Sequence, residues 1–326
     1  MKCKAIVVHQ IGGPEVLKFE DVEVPAPGPG QALVRHRAIG LNFVDIYVRS
    51  GVYPPPSLPY TPGTEGAGVV EAVGPNVSEV RVGDRVAYVG GPLGSYSEAR
   101  VIPSRFLVKL PDKIDEATAA AAMLKGLTAE YLIHSTYAVK PGDTILLHAA
   151  AGGTGLILSQ WAKHHGATVI GTVGSDEKAK LAAAHGCAHT INYSREDFVA
   201  RVKEITDGKN VAVVYDSVGQ TTFMKSLDCL RPRGLMVSFG QSSGVVPPFS
   251  INILSGKGSL YVTRPTLATY TARREDLEAA ARRLFDVLAS GAVRCEVKRT
   301  FKLADAAEAH RALGQRETTG SSILLP

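Results

Sequence analysis

The sequence lacks any apolar run approaching the ~20 residues that a membrane-spanning helix needs, which excludes a helical membrane protein. Cysteine is scarce. Cys3, Cys187, Cys229 and Cys295 stand far apart, with no CxxC pair and no metal-ligand spacing. A disulfide framework and a zinc ribbon are thereby excluded, and a reducing, cytoplasmic compartment is expected. The opening Met1-Lys2-Cys3-Lys4 runs straight into strand-like Ala5-Ile6-Val7-Val8, without the apolar stretch of a signal peptide. Excess charge is also small: 36 Lys and Arg against 31 Asp and Glu leave a net +5. That balance suits an anionic small molecule as well as a polymer, so nucleic acid is not called for. Internal repeats and low-complexity linkers are missing too. With 45% hydrophobic and 21% charged residues, the chain is ordinary globular material rather than disordered. Its 326 residues suffice for roughly two domains at ~150 residues each, without disulfide or metal staples.

The first ~125 residues are punctuated by Pro and Gly. Short β-type runs (32–36, 68–73 and 84–89) alternate with turn signals such as Pro25-Ala26-Pro27-Gly28 and Gly74-Pro75-Asn76, which reads as a compact antiparallel β unit. A helix-like interruption spans Asn42 to Arg49. From about Lys125 the pattern changes to alternating strands and helices. Candidate strands lie at 144–147, 168–172, 189–191, 211–215, 235–239 and 259–262, and intervening helices at 155–165, 176–185, 196–206 and 221–230. This alternation predicts a doubly wound, six-stranded parallel sheet of the Rossmann type. A further helix is expected from Arg273 to Ser290, with Leu277, Ala280, Ala281, Leu284, Phe285 and Leu288 at helical spacing. The boundaries expected are a β-rich domain at 1–124, completed by 265–326, and a nucleotide-binding domain at 125–264. The fold class is α/β.

The strongest motif follows the first strand of the second region: His148-Ala149-Ala150-Ala151-Gly152-Gly153-Thr154-Gly155. A turn this tight lets the backbone approach a pyrophosphate and aims helix N-terminal N–H groups at it. The common G-x-G-x-x-G spacing is absent; Ala150, Gly153 and Gly155 supply the small residues. Gly152, Gly153, Thr154 and Gly155 are therefore candidate cofactor contacts, with an empty tight turn as the alternative. An acidic residue is also missing where the second strand ends. An NAD site places Asp or Glu there to bind the ribose 2′-hydroxyl, whereas here Gly174 and Ser175 follow, with Lys178 able to meet a 2′-phosphate. NADPH is the expected cofactor. Asp176 and Glu177 read as first-turn residues of the next helix, and for Lys178 a solvated helix face is the alternative. The polar strand tips around Ser217 and around Phe239, Gly240 and Ser242 read as cofactor walls, or else as plain loops.

Several runs together carry a resemblance: Gly12 to Leu17, Gly40-Leu41-Asn42-Phe43-Val44-Asp45, Arg49 to Pro54, Pro62-Gly63-Thr64-Glu65-Gly66-Ala67-Gly68, Ala149 to Gly155, Asp216-Ser217-Val218-Gly219, and Gly258 to Pro265. Over nearly its whole length the chain resembles the zinc-free quinone oxidoreductases, the zeta-crystallin-like branch of the medium-chain dehydrogenase/reductase superfamily. The resemblance implies a GroES-like catalytic domain beside the Rossmann domain. It also implies NADPH-dependent reduction of a quinone or another electrophilic small molecule, and a homodimer, for which the edge strand at 259–262 offers a surface to pair with its copy.

The zinc alcohol dehydrogenases of the same superfamily carry a Cys before the Asp of the early helix and a Gly-His-Glu run. This sequence has Asn42 and Thr64 at those positions, and neither is a competent ligand for tetrahedral zinc, so no metal is expected. Lacking a Lewis acid, the site suits an acceptor that is already electrophilic. Carried over residue by residue, the resemblance implicates Asn42, Asp45, Tyr47, Tyr53 and Thr64 at the reacting end. It places Asn42, Arg264 and Arg316 near the cofactor, and Tyr131 and Tyr193 along the nucleotide groove. Alternatives stand beside these: capping of the early helix for Asn42 and Asp45, half-buried packing for Tyr47 and Tyr53, and a loop cation for Arg264. His148 reads as a hydrogen-bonded core or dimer-contact residue, and Arg273-Arg274 and Arg282-Arg283 as a solvated face. Two other functions remain open: reduction of α,β-unsaturated carbonyls with NADPH, and a non-catalytic NADPH-binding role of crystallin or RNA-binding type.

Overall fold

A computed structural model describes residues 1–315 and 319–326. In chain order the first elements are β1 (Lys2–Val8), β2 (Leu17–Glu23), β3 (Gln31–Gly40), α1 (Phe43–Arg49), β4 (Glu65–Val73), β5 (Arg85–Val89), β6 (Ala99–Pro103), β7 (Leu107–Lys109) and α2 (Glu116–Tyr131). There follow β8 (Thr144–Leu147), α3 (Gly153–His164), β9 (Thr168–Val173), α4 (Asp176–Ala184), β10 (His189–Asn192), α5 (Phe198–Ile205), β11 (Val211–Asp216) and α6 (Phe223–Ser226). The remainder comprises β12 (Leu230–Ser238), α7 (Asn252–Gly256), β13 (Tyr261–Thr263), α8 (Leu267–Tyr270), α9 (Arg274–Ala289), β14 (Val297–Lys302), α10 (Ala306–Gly314) and β15 (Ser321–Leu325). Two compact units result: residues 1–127 with 272–289 and 295–326, and residues 128–271 with 290–294.

The first unit is built on β3, the ten-residue strand at the middle of a seven-stranded sheet ordered β14-β15-β3-β4-β5-β7, with β6 also pairing β3. Antiparallel pairing runs through β3, β4 and β5, as the turn-rich sequence predicts. The end of the chain joins the same sheet: β15 sets Ile323 opposite Gly40 and Leu324 opposite Ile39. Ile6, Val8, Ile39, Leu41, Tyr96 and Leu324 form one buried cluster beneath α1 and α10. Burying side chains of this size contributes ~1.5–3 kcal/mol each relative to exposure.

In the second unit a six-stranded parallel sheet runs in the order β10-β9-β8-β11-β12-β13, the doubly wound order. The expected fold class stands. Its strands are near-continuous apolar runs because both faces are covered. Register aligns Ile170, Leu146, Val214, Met236 and Val262 in one row across five strands, so the carboxyl ends of these strands share one edge.

Three elements differ from the pattern reading in their boundaries. The helix expected at 221–230 is only the short α6, continued by a 3₁₀ turn at Leu227–Cys229. Strand β12 then begins at Leu230 rather than 235, because a register shift lets Leu230 pair with Val211 before regular pairing resumes at Leu235. Pro232 and Arg233 (φ 60°) interrupt the local alternation, which hides the early half of the strand from a periodicity reading. Strand β13 begins at Tyr261, since Ser259 has φ 56° and belongs to the preceding turn.

Candidate active site

The loop after β8 makes its turn at Ala149, which holds φ 53°. Gly152 then caps α3 from an extended conformation, without a side-chain hydrogen bond to the helix. Leu156 N–H is bonded back to the Gly152 carbonyl at 2.9 Å. The N–H groups of Gly153, Thr154 and Gly155 have no carbonyl one turn earlier within the helix, so this N-terminus carries anion-seeking donors. Gly155 is required by space: a Cβ there would lie 2.5 Å from the Ala149 oxygen. Beneath the loop, His148 is buried between Thr172 Oγ1 and Ser226 Oγ, each 2.8 Å away. Burial lowers its pKa, against the pull of Asp216. It is the hydrogen-bonded core residue that its position after a buried strand suggests.

At the end of β9, Ser175 caps α4 and accepts the Lys178 N–H at 3.3 Å, which sets Lys178 in the first turn. Tyr193, 45% exposed, stands over Gly174: a Cβ at Gly174 would lie 2.7 Å from its hydroxyl oxygen. The fold therefore brings Gly174, Ser175, Lys178 and Tyr193 together. Asp176, the first acid after the strand, accepts from Asn192 Nδ2 at 2.9 Å and is paired with Arg195.

The next two strand tips also converge. Asp216 accepts from the N–H groups of Val218 (2.7 Å) and Gly219 (3.1 Å) and from Thr222 Oγ1 (2.8 Å), which ties down the turn carrying Ser217. Ser242 N–H donates to the Ser217 carbonyl at 3.1 Å and Phe239 N–H to the Asp216 carbonyl at 2.8 Å. Arg264 donates through Nη1 to the carbonyls of Ser238 (2.8 Å) and Gly240 (3.0 Å), so it anchors the β12 tip rather than sitting loose in a loop. Tyr131 is buried and stacks on Tyr270, with ring centroids 4.4 Å apart and planes 11° apart. Burial raises the Tyr131 pKa strongly, with Arg264 acting the other way. Arg316 lies outside the described residues.

In the first unit, Asn42 is the N-cap of α1, and its backbone N–H donates to Asp45 Oδ2 at 2.9 Å. Its side chain turns elsewhere: Nδ2 donates to Glu65 Oε2 and Oδ1 accepts from Lys125 Nζ, both at 2.7 Å. Asp45 is buried and also accepts from the Tyr96 hydroxyl at 2.9 Å. Burial pushes its carboxyl up to about 7, opposed by the Asn42 and Tyr96 hydrogen bonds. Along α1 and just beyond it, Tyr47 and Tyr53 meet edge to face, with centroids 5.3 Å apart. Thr64, half-buried, immediately precedes Glu65 and accepts Gly90 N–H through its carbonyl at 2.9 Å.

Glu65, Tyr96, Lys125 and His310 complete this cluster and escape the pattern reading. Lys125 did leave a trace, as a lone charge in the apolar run Ala119-Ala120-Ala121-Ala122-Met123-Leu124. Tyr96 and His310 left none. Among the described residues, no group of three or more His, Cys, Asp or Glu is arranged to hold a metal.

Residues 28–112 match the alcohol dehydrogenase GroES-like domain, and residues 153–286 match the family described as zinc-binding dehydrogenase. Those two matches, on an antiparallel unit and a doubly wound unit, define a medium-chain dehydrogenase. A quinone oxidoreductase of Pseudomonas aeruginosa is 56% identical over 99% of this chain and 100% of its own length. A 2-haloacrylate reductase of a Burkholderia species is 49% identical over 99% of this chain and 98% of its own length. The crystal structure of Escherichia coli quinone oxidoreductase complexed with NADPH superposes with a TM-score of 0.98 at 50% identity, covering 99% of this chain and 100% of that one. The chain belongs to the quinone oxidoreductase branch of the medium-chain dehydrogenase/reductase superfamily.

Proposed function

We propose that the protein is an NADPH:quinone oxidoreductase, with the second unit binding the nucleotide and the first supplying the acceptor site. The observation that carries the cofactor reading is the end of β9. Asp176 has its Oδ1 engaged by Asn192 and Arg195, and the Arg195 cation offsets its charge. Ser175 caps the helix there with Lys178 in its first turn, and Tyr193 stands over Gly174, so a hydroxyl, a cation and a phenol are on hand for a 2′-phosphate. The helix N-terminus at Gly152 to Gly155 fits the pyrophosphate, because its leading N–H groups are not capped by a side chain. Ser217, Phe239, Gly240 and Ser242 would flank the nicotinamide half, with Arg264 bracing the β12 tip.

When bound, NADPH would supply a hydride from nicotinamide C4 and leave as NADP⁺, while the quinone takes up that hydride and one solvent proton to become hydroquinone. The protein's part is to bind, orient and exclude water. Asn42, Tyr47, Tyr53 and Thr64 form the acceptor end, and Asp45 secures the turn that carries Asn42. The Asn42 amide, held between Glu65 and Lys125, offers hydrogen-bonding groups rather than a metal ligand, which suits an acceptor that delocalises its new charge. The homologous quinone oxidoreductases support the same substrate class. Strand β13, at the sheet edge with Tyr261 61% exposed, is the surface through which two copies would pair as a homodimer. Four free cysteines suit a reducing cytoplasm, and no described helix is long and apolar enough to cross a membrane.

Steady-state assays with 1,4-benzoquinone and 9,10-phenanthrenequinone test the reading, run with NADPH and with NADH. Turnover should be faster with NADPH and with the quinones than with small enones. The 2-haloacrylate reductase relative favours a second reading, reduction of conjugated carbonyl compounds, and the reverse acceptor ranking would establish it. NADPH binding without turnover on either class would point to a non-catalytic role.

A further inference from the structure

Lys125 and Glu65 are buried, at 7% and 0% exposure, and face each other as a long ion pair. Their nearest charged atoms, Nζ and Oε2, are 3.8 Å apart. Each reaches one end of the Asn42 amide at 2.7 Å: the ammonium at Oδ1, the carboxylate at Nδ2. Lys125 Nζ also reaches the Leu41 carbonyl at 3.4 Å, and Glu65 Oε1 accepts the Leu124 N–H at 2.6 Å, so both charges are tethered to the backbone beside Asn42. An amide held this way has a single orientation. The flipped amide would set its oxygen against a carboxylate and its NH₂ against an ammonium, leaving both contacts repulsive. The two charges keep their ion pair at 3.8 Å and make their shortest side-chain contacts, at 2.7 Å, to this one neutral amide.

We propose that Lys125 and Glu65 are positioning residues that lock the Asn42 amide, so that its second Nδ2 hydrogen is presented to the carbonyl oxygen of the quinone as charge develops there. An amide carries two N–H donors, and Glu65 engages one of them. A donor fixed before the reaction needs no reorganisation when the acceptor oxygen gains charge. This proposal rests on the quinone-reductase reading given above.

The test is a kinetic cycle with 1,4-benzoquinone, accompanied by fluorescence titration of NADPH and by thermal melts. Lys125→Met should lower kcat about tenfold, the scale of a misoriented hydrogen-bond donor, with the NADPH Kd within about twofold of the parent. Because Lys125→Met leaves Glu65 unpaired, the double variant Lys125→Met/Glu65→Gln removes both buried charges together and secures the test against misfolding. It should fold, bind NADPH and remain slow, since Met and Gln no longer tell the two ends of the amide apart. In an Asn42→Ala background the Lys125→Met loss should disappear, because its route through Asn42 is gone. Additive losses in that background, or parental kcat in the double variant, would overturn the proposal. A parent enzyme inactive towards quinones would instead overturn the functional reading, a result visible before any variant is made.

Discussion

The Tyr96 hydroxyl donates to Asp45 Oδ2 at 2.9 Å while its oxygen lies 3.0 Å from His310 Nε2. On the far side of that ring, Arg49 Nη1 is 3.2 Å from His310 Nδ1. Arginine only donates, so Nδ1 accepts, Nε2 carries the hydrogen, and the chain runs in one direction from Arg49 to His310 to Tyr96 to Asp45. Burial, and then the Arg49 charge, lower the His310 pKa to about 3, so its neutral form is the working one. The chain ends on the carboxylate that holds the Asn42 N–H at the start of α1.

Tyr96→Phe removes the one group that serves both buried partners. Leaving such groups unsatisfied costs about 1–3 kcal/mol. Urea unfolding should record a loss of that order. A change below about 0.5 kcal/mol would show that the hydroxyl bears little of the load.

Asp45 should leave a signature in stability against pH. Its folded value of about 7 lies above the ordinary 3.8, so between those limits the folded chain holds a proton that the unfolded chain releases. The resulting stabilisation is complete below about pH 4 and is lost as pH rises through about 7. His310 and His36 work in the opposite sense. Burial lowers them to about 3 and about 4, so they cost stability as pH falls below about 6.5. Subtracting Asp45→Asn isolates the carboxylate: the parent's unfolding free energy relative to the variant should decline from about pH 4.5 to pH 7.5. A difference that is flat across this window would contradict the assignment.

At the nucleotide end, Lys178→Ala should raise the NADPH Kd about tenfold, the loss of roughly one charge-assisted contact, and leave NADH within about twofold. Arg195→Ala should act on the same choice from the other side by releasing Asp176 from its ion pair, which narrows the preference further. Fluorescence titration with both nucleotides measures this, and equal losses for the two would remove the 2′-phosphate argument.

Gly155→Ala places a methyl 2.5 Å from the Ala149 oxygen and 2.8 Å from the Ala150 carbonyl carbon and oxygen, all backbone atoms that cannot rotate away. Overpacking of this kind costs about 1–3 kcal/mol. The thermal midpoint should fall, and the NADPH Kd should rise as the loop is forced off the helix N-terminus. Unchanged binding would detach this loop from the cofactor.

The parallel sheet was legible in the chain alone. Runs such as Thr144–Leu147 and Val211–Asp216 are apolar, end in turn residues and alternate with helical periods, and those are local properties of the chain. The glycine loop and the missing acid at Gly174 were legible there too, since backbone reach and side-chain charge belong to single residues. The early half of β12 was hidden because Pro232 and a left-handed Arg233 break the alternation, and only the register with β11 restores it. The partners of the buried polar groups were decided by tertiary structure alone. Lys125 finds Asn42 across 83 positions, His310 finds Tyr96 across 214, and Arg49 finds His310 across 261. The physical reason is that a buried polar group must be paired, but no local rule says with whom. Packing of β3, α1, α2 and α10 sets that choice, and with it the orientation of the Asn42 amide between Glu65 and Lys125.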